Sequence, residues 1–180
     1  MDIFVAINLS VRQMWHGGIT KKVLDVVAST SIDKKRVELE ITESAMTQDP
    51  ARMEATLKEL SDNGLSISLD DFGTGYSSLN RLKQLPISKL KIDKSFVDGV
   101  PHNENDVAIV NAIIHLAQSF RLISLAEGIE SIEQWRHLRD KNCQLGQGYL
   151  FSKPVPAAEI ELMWNSNRRW DIDYGAQKST

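Results

Sequence analysis

Cysteine is almost absent from this chain of 180 residues: Cys143 stands alone, which excludes an internal disulfide and a thiolate zinc site. It is expected to be a small side chain near the start of a strand. No apolar run approaches the roughly 20 residues needed to cross a bilayer, and the first residues lack the basic and apolar regions of a secretory leader. A cytoplasmic location is therefore expected, with no membrane contact by this chain. Basic excess is lacking too, since 21 Lys and Arg face 24 Asp and Glu for a net charge of −3. No field exists to hold duplex nucleic acid by counterion release. What is there is the composition of an ordinary globular protein, 42% apolar and 25% charged. The length suits one domain of roughly 100 to 200 residues, yet falls short of the roughly 250 typical of an eight-unit α/β barrel.

Short β-branched runs alternate with longer stretches of helical spacing, the pattern of repeated strand–helix units with parallel strands. Strands are predicted at Ile3–Ser10, Arg36–Glu43, Leu65–Asp71, Lys89–Asp93, Leu122–Glu127 and Gln144–Phe151. Helices are predicted at Ile19–Ser29, Pro50–Asn63, Ser77–Leu85, Asn105–Phe120, Ile132–Lys141 and Pro156–Trp164. Asp49 before Pro50 and Pro156 are start signals, and Gly64 is a stop signal. The spacing of Val107, Val110, Ile114 and Ala117 gives a buried helix face, and Met53 and Trp135 read as core. From Asn165 the sequence turns polar and aperiodic, which divides the chain into a domain over 1–164 and a tail over 165–180.

Alternate residues of a strand face opposite ways. Val37, Leu39 and Ile41 oppose Glu38, Glu40 and Thr42; Leu65, Ile67 and Leu69 oppose Ser66, Ser68 and Asp70; Leu90 and Ile92 oppose Lys89, Lys91 and Asp93. The first strand sets Ile3, Val5 and Ile7 against Phe4, Ala6 and Asn8. A doubly wound sheet is covered on both faces and wants nearly continuous apolar strands. Parallel connectivity with one polar face argues instead for a barrel with a polar interior.

In such barrels chemistry gathers where strands end. Asn8, Glu40, Asp70, Asp71, Lys91, Asp93, Glu127 and Gln147 lie at or near those ends, and Glu43 lies just past the second strand. Two like charges 4 Å apart repel by about 4 kcal/mol at an effective dielectric of 20, so cations must offset such a cluster. Lys91 supplies one charge, and the all-oxygen donors point to Mg²⁺ or Mn²⁺ rather than zinc. The histidines His16, His102, His115 and His137 fall outside the strand ends and read as surface or satisfied structural residues. Asp70 and Asp71 are adjacent, so both reach one site only if the strand stops between or just after them. Phe72-Gly73-Thr74-Gly75-Tyr76-Ser77-Ser78 offers such a turn, with two serines to cap the following helix.

Leu69-Asp70-Asp71-Phe72-Gly73-Thr74-Gly75-Tyr76-Ser77-Ser78-Leu79, Lys89-Leu90-Lys91-Ile92-Asp93, Ala126-Glu127-Gly128-Ile129-Glu130 and Gln147-Gly148-Tyr149-Leu150-Phe151-Ser152-Lys153-Pro154 together resemble the EAL-domain phosphodiesterases that hydrolyse cyclic di-GMP. Asn8-Leu9-Ser10 and Glu38-Leu39-Glu40-Ile41-Thr42-Glu43-Ser44 match the same family in the right order, so the resemblance covers Ile3 to Trp164. It implies a TIM-type (β/α) barrel and hydrolysis to linear pGpG. It places one metal on Asn8, Glu40 and Asp70 and a second on Asp70, Asp71 and Glu127. By the same resemblance Lys91, Glu127 and Gln147 are catalytic, Glu43 anchors the loop after Asp71, and Asp93, Lys153 and Pro154 belong to substrate binding.

The Glu-Ala-Leu segment that names the family is not found upstream of Asn8, which is consistent with six βα units rather than eight. The expected object is an N-terminally truncated barrel whose first metal site lacks a ligand and whose unpaired edges favour self-association, a homodimer among the outcomes. Sensor or membrane domains are expected, if anywhere, elsewhere in a full-length protein. The alternative to an enzyme is a truncated, inactive EAL-type module that binds a nucleotide or a protein partner. An unrelated metal-dependent barrel with a lysine base explains the carboxylates but not the long motifs.

Overall fold

The computed structural model describes residues 3–15, 17–46, 49–75 and 79–166. Six strands, β1 (Val5–Asn8), β2 (Val37–Thr42), β3 (Ser66–Phe72), β4 (Lys89–Ile92), β5 (Ile123–Ala126) and β6 (Leu145–Gly146), form one sheet. Every pair is parallel, and the order across the sheet is the order along the chain. Helices fill the connections: α1 (Val11–Trp15), α2 (Ile19–Ala28), α3 (Pro50–Asp62), α4 (Leu79–Leu82), α5 (Lys94–Val97), α6 (Glu104–Ser119), α7 (Ile132–Asp140) and α8 (Ala157–Asn165). This is a partial α/β barrel: β1 and β6 are its two edges and do not pair with each other.

The helix-facing side of the sheet carries Leu39, Ile41, Ile67, Leu69, Leu90 and Ile92, all buried, packed with Leu57 and Leu60 of α3, Val110, Ile114 and Ala117 of α6, and Leu138 of α7. Each such side chain contributes about 1.5 to 3 kcal/mol by leaving water. Local chemistry sets the ends of these helices. The Asp49 carboxylate accepts from the Arg52 amide ahead of Pro50. At the other end of α3, Gly64 takes a positive φ while its amide reaches the Ser61 carbonyl and that of Leu65 reaches Leu60, two bonds that close the last turn. Ser131 and Gln134 exchange bonds as a capping box on α7. Cys143 is buried, its thiol directed at the Ser124 and Leu145 carbonyls, and burial pushes that thiol up. Met53 is buried, and Trp135 packs edge-on to Phe151.

Several expectations are corrected. In β1, Val5 and Ile7 are exposed although they share a face with buried Val37 and Leu39, because β1 is an edge strand, paired only to β2. The last strand is two residues long rather than eight. Past Gly146 the chain turns against the segment after β5, and a Cβ on Gly148 would stand 2.2 Å from the Ile129 carbonyl oxygen. Lys89–Asp93 ends one residue early, since Asp93 caps α5 by accepting from the Ser95 amide at 3.0 Å. Pro156 is the residue before α8 rather than its first member. The short helices α1 and α5 carry too few residues to show a period. Ser77 and Ser78, expected to cap a helix that is described only as α4, lie outside the described residues, as do His16 and nearly all of the expected tail. His137 is not satisfied: its Nε2 is buried with no hydrogen-bond partner among the described residues, and burial lowers its pKa.

Candidate active site

Strand parity carries Glu38 and Glu40, Ser68 and Asp70, Lys89 and Lys91 to the side of the sheet away from the helices, in registers that align Glu40 with Ser68 and Lys91 with Leu125. At the C-terminal ends these side chains converge on one ammonium. Lys91 Nζ donates to Glu40 Oε1 at 2.9 Å, Asp70 Oδ1 at 3.0 Å and Glu127 Oε1 at 2.8 Å, and the lysine side chain is only 3% exposed. Burial alone would depress this ammonium. The carboxylates, Glu127 foremost, outweigh burial and hold it well above its ordinary pKa.

The strand that carries Asp70 and Asp71 ends just after them, at Phe72, and an irregularity in the β3–β4 register, with Asp71 at φ 53°, is what brings both to the same side. This left-handed residue is one that Asp tolerates better than most, and its amide donates back to Asp70 Oδ1 at 3.0 Å. Asp70, Asp71 and Glu127 then offer oxygens that all lie within 4.8 Å of one another. Burial and the charges of Asp70 and Asp93 raise the Asp71 pKa, and burial, opposed by Lys91, raises that of Glu127. Asp93 is lowered despite burial, because the Ser95 hydroxyl and amide bond its carboxylate. Three carboxylate oxygens set this close fit a hard divalent cation. Among the described His, Cys, Asp and Glu residues this is the group with such a spacing; Asn8 is exposed at the end of β1, opposite Glu40.

Glu43 follows β2 in a 3₁₀ turn and is buried. Its Oε2 accepts from the Gly73 amide at 3.0 Å and the Gly75 amide at 3.2 Å, joining the end of β2 to the loop after β3. A Cβ on Gly75 would come within 3.0 Å of that carboxylate. Glu43→Ala leaves both amides without their acceptor, so we expect unfolding stability to fall by about 1 to 3 kcal/mol. Urea titration checks this, and a change below about 0.5 kcal/mol, the range of an ordinary surface substitution, contradicts it.

The remaining sequence-predicted residues stand apart. Gln147 follows β6, its amide bonded to the Ala126 carbonyl and its side chain exposed. Lys153 lies over the Tyr149 ring at 5.5 Å, and both Lys153 and Pro154 are exposed. Sequence reasoning passed over Glu38 and Lys89, a buried ion pair one step below Lys91, although the parity that put Glu40 and Lys91 inside put these two inside as well.

The chain matches the family model described as EAL domain over residues 1–154. MucR of Pseudomonas aeruginosa, a bifunctional diguanylate cyclase/cyclic di-GMP phosphodiesterase, is 40% identical over 88% of this chain and 23% of its own length. The EAL domain of Mycobacterium smegmatis DcpA superposes with a TM-score of 0.88 at 38% identity, over 93% of this chain and 75% of that one. Klebsiella pneumoniae BlrP1, solved with manganese and cyclic di-GMP, gives a TM-score of 0.78 at 29% identity, over 84% and 39%. The chain spans about a quarter of the length of the curated relatives it matches. No helix among the described residues is long and apolar enough to cross a membrane.

Proposed function

The chain belongs to the EAL-domain family, and we propose on that premise that it carries the catalytic face of a divalent-metal-dependent cyclic di-GMP phosphodiesterase whose product is linear pGpG. The observation that carries this reading is the set of Asp70, Asp71 and Glu127 oxygens within 4.8 Å of one another at the C-terminal ends of neighbouring strands. Related structures hold manganese or calcium together with cyclic di-GMP. In the reaction one water adds across one phosphodiester bond: its oxygen joins phosphorus, and a proton passes to the ribose oxygen that leaves. Two divalent ions, Mg²⁺ or Mn²⁺, would polarise that water and neutralise charge building on phosphorus. Asp70, Asp71 and Glu127 would hold one ion, and Asn8, Glu40 and Asp70 the other, with Asp70 shared. Lys91 keeps its proton at Nζ and orients the water or the phosphate. Gln147 would meet the attacking water, Asp93, Lys153 and Pro154 would contact the nucleotide, and Glu43 holds the loop at Gly73 and Gly75.

Purified protein given cyclic di-GMP and Mn²⁺ is expected to release pGpG, and a chelator to stop the release. Hydrolysis that persists without divalent cation overturns the metal assignment. One observation favours the alternative of a catalytically silent nucleotide-binding module: Asn8 is exposed on an edge strand, and both carboxylates that would share its ion are engaged by Lys91. Cyclic di-GMP binding without turnover selects that alternative.

A further inference from the structure

Beneath the carboxylate cluster lies a second charged layer that the reaction itself does not use. Lys89 Nζ donates to both oxygens of Glu38, at 2.9 and 2.7 Å, and the two side chains are 12% and 7% exposed. Lys89 and Lys91 are alternate residues of β4, as Glu38 and Glu40 are of β2, so the two layers share one face and are separated by about 6.6 Å along the strands. Ser68, fully buried, aligns with Glu40 on one side and Lys89 on the other, and its hydroxyl has no partner among the described residues.

Resting on the reading of the upper layer as a divalent-cation site, we propose that the Glu38–Lys89 pair is a positioning layer, whose two charges cancel so that the Lys91 ammonium is committed upward to Glu40, Asp70 and Glu127. Two lysines and four carboxylates, of which Lys91 and Glu38 are buried and the others half-buried, share this interior, and each ammonium goes to the carboxylates that offer the most uncompensated charge. With Lys89 in place, Glu38 is saturated by two hydrogen bonds and exerts little pull on Lys91. With Lys89 gone, Glu38 becomes an unpaired buried anion within one lysine length of Lys91, and the ammonium is drawn down. The upper carboxylates are then less neutralised and more open to a divalent ion. With Glu38 gone instead, Lys89 turns to the nearest remaining carboxylate, Glu40, and adds positive charge to the upper layer.

The test is Mn²⁺ binding to this chain, followed calorimetrically, with folding verified by circular dichroism. Lys89→Met is expected to bind Mn²⁺ about tenfold more tightly and Glu38→Gln about tenfold more weakly, while Glu38→Gln/Lys89→Met, which removes both charges, returns to within about threefold of the unchanged chain. A pair with a merely structural role would shift neither affinity, or would shift both the same way, and that outcome overturns the proposal. If a single variant fails to fold, the charge-neutral double variant still decides, because a loss of about tenfold or more in its Mn²⁺ affinity is incompatible with cancellation. A crystal structure of Lys89→Met reads the displacement without any metal: Lys91 Nζ should leave Glu127 for Glu38, and an unmoved Lys91 refutes the inference. Failure of the unchanged chain to bind Mn²⁺, by contrast, refutes the functional reading of the upper layer.

Discussion

Asp70→Asn should abolish cyclic di-GMP hydrolysis, with the rate at saturating Mn²⁺ falling by about 100-fold or more. Asp70 is central to the upper layer: one oxygen accepts from Lys91 and from the Asp71 amide, and the carboxylate belongs to the group formed with Asp71 and Glu127. The amide replaces a full negative charge by a dipole of nearly the same shape, so packing survives while the charge available to divalent ions drops. The neighbours then feel a changed field, since the Asp70 charge is one reason that Asp71 and Glu127 hold protons more tightly than ordinary carboxylates. The signature is loss of turnover in a chain that unfolds at an unchanged denaturant concentration. Retention of more than about a tenth of the rate would show that Asp70 is not shared between two ions.

Lys91→Ala is expected to strike both stability and turnover. It removes the one ammonium bonded to Glu40, Asp70 and Glu127, and breaking a buried ion cluster by deleting one partner costs about 3 to 5 kcal/mol. The lower end applies here, because the carboxylates keep some contact with solvent. Added Mn²⁺ should restore part of that loss, as ions that bind the folded chain stabilise it by mass action. In turnover the expected pattern is a fall of about 100-fold or more in kcat with KM changed less than about threefold, the mark of a group that acts on the attacking water or on charge arising at phosphorus. Unchanged kcat with a large rise in KM would move Lys91 from the chemistry to ground-state binding.

The alternation of strands and helices and the polar inner face were legible because they rest on side-chain period, which a chain of ordinary composition displays openly. The same period placed Glu40, Asp70 and Lys91 on one face, where the structure brings them into contact. What escaped it were features that interrupt the period. The irregularity at Asp70 and Asp71 lets two neighbours face one way, which strict alternation forbids, and only the positive φ of Asp71 shows how. Asp93 reads as a strand residue until its carboxylate is seen to cap α5. Val5 and Ile7 carry an interior pattern, yet pattern cannot report that β1 is paired on one side only. The stretch after Gly146 looks apolar enough for a strand, but the close approach of Gly148 to Ile129 turns it aside. Glu38 and Lys89 were visible on the inner face and went unused, because two opposite charges side by side ask for no external cation.

That the strands pair only with their immediate neighbours along the chain bears on how the sheet is assembled. Among the described strands no pairing waits for a segment beyond the next strand, so each closure joins the two ends of a single strand–helix–strand unit, and the entropy lost at each step is that of one such connection. Units can dock in the order in which a ribosome releases them. Glu38 and Lys89, from the second and fourth strands, can meet before β5 has emerged, whereas Lys91 gains Glu127 only after it. The charged interior is thus built from its base upward, and its last layer to close is the one proposed to do the chemistry.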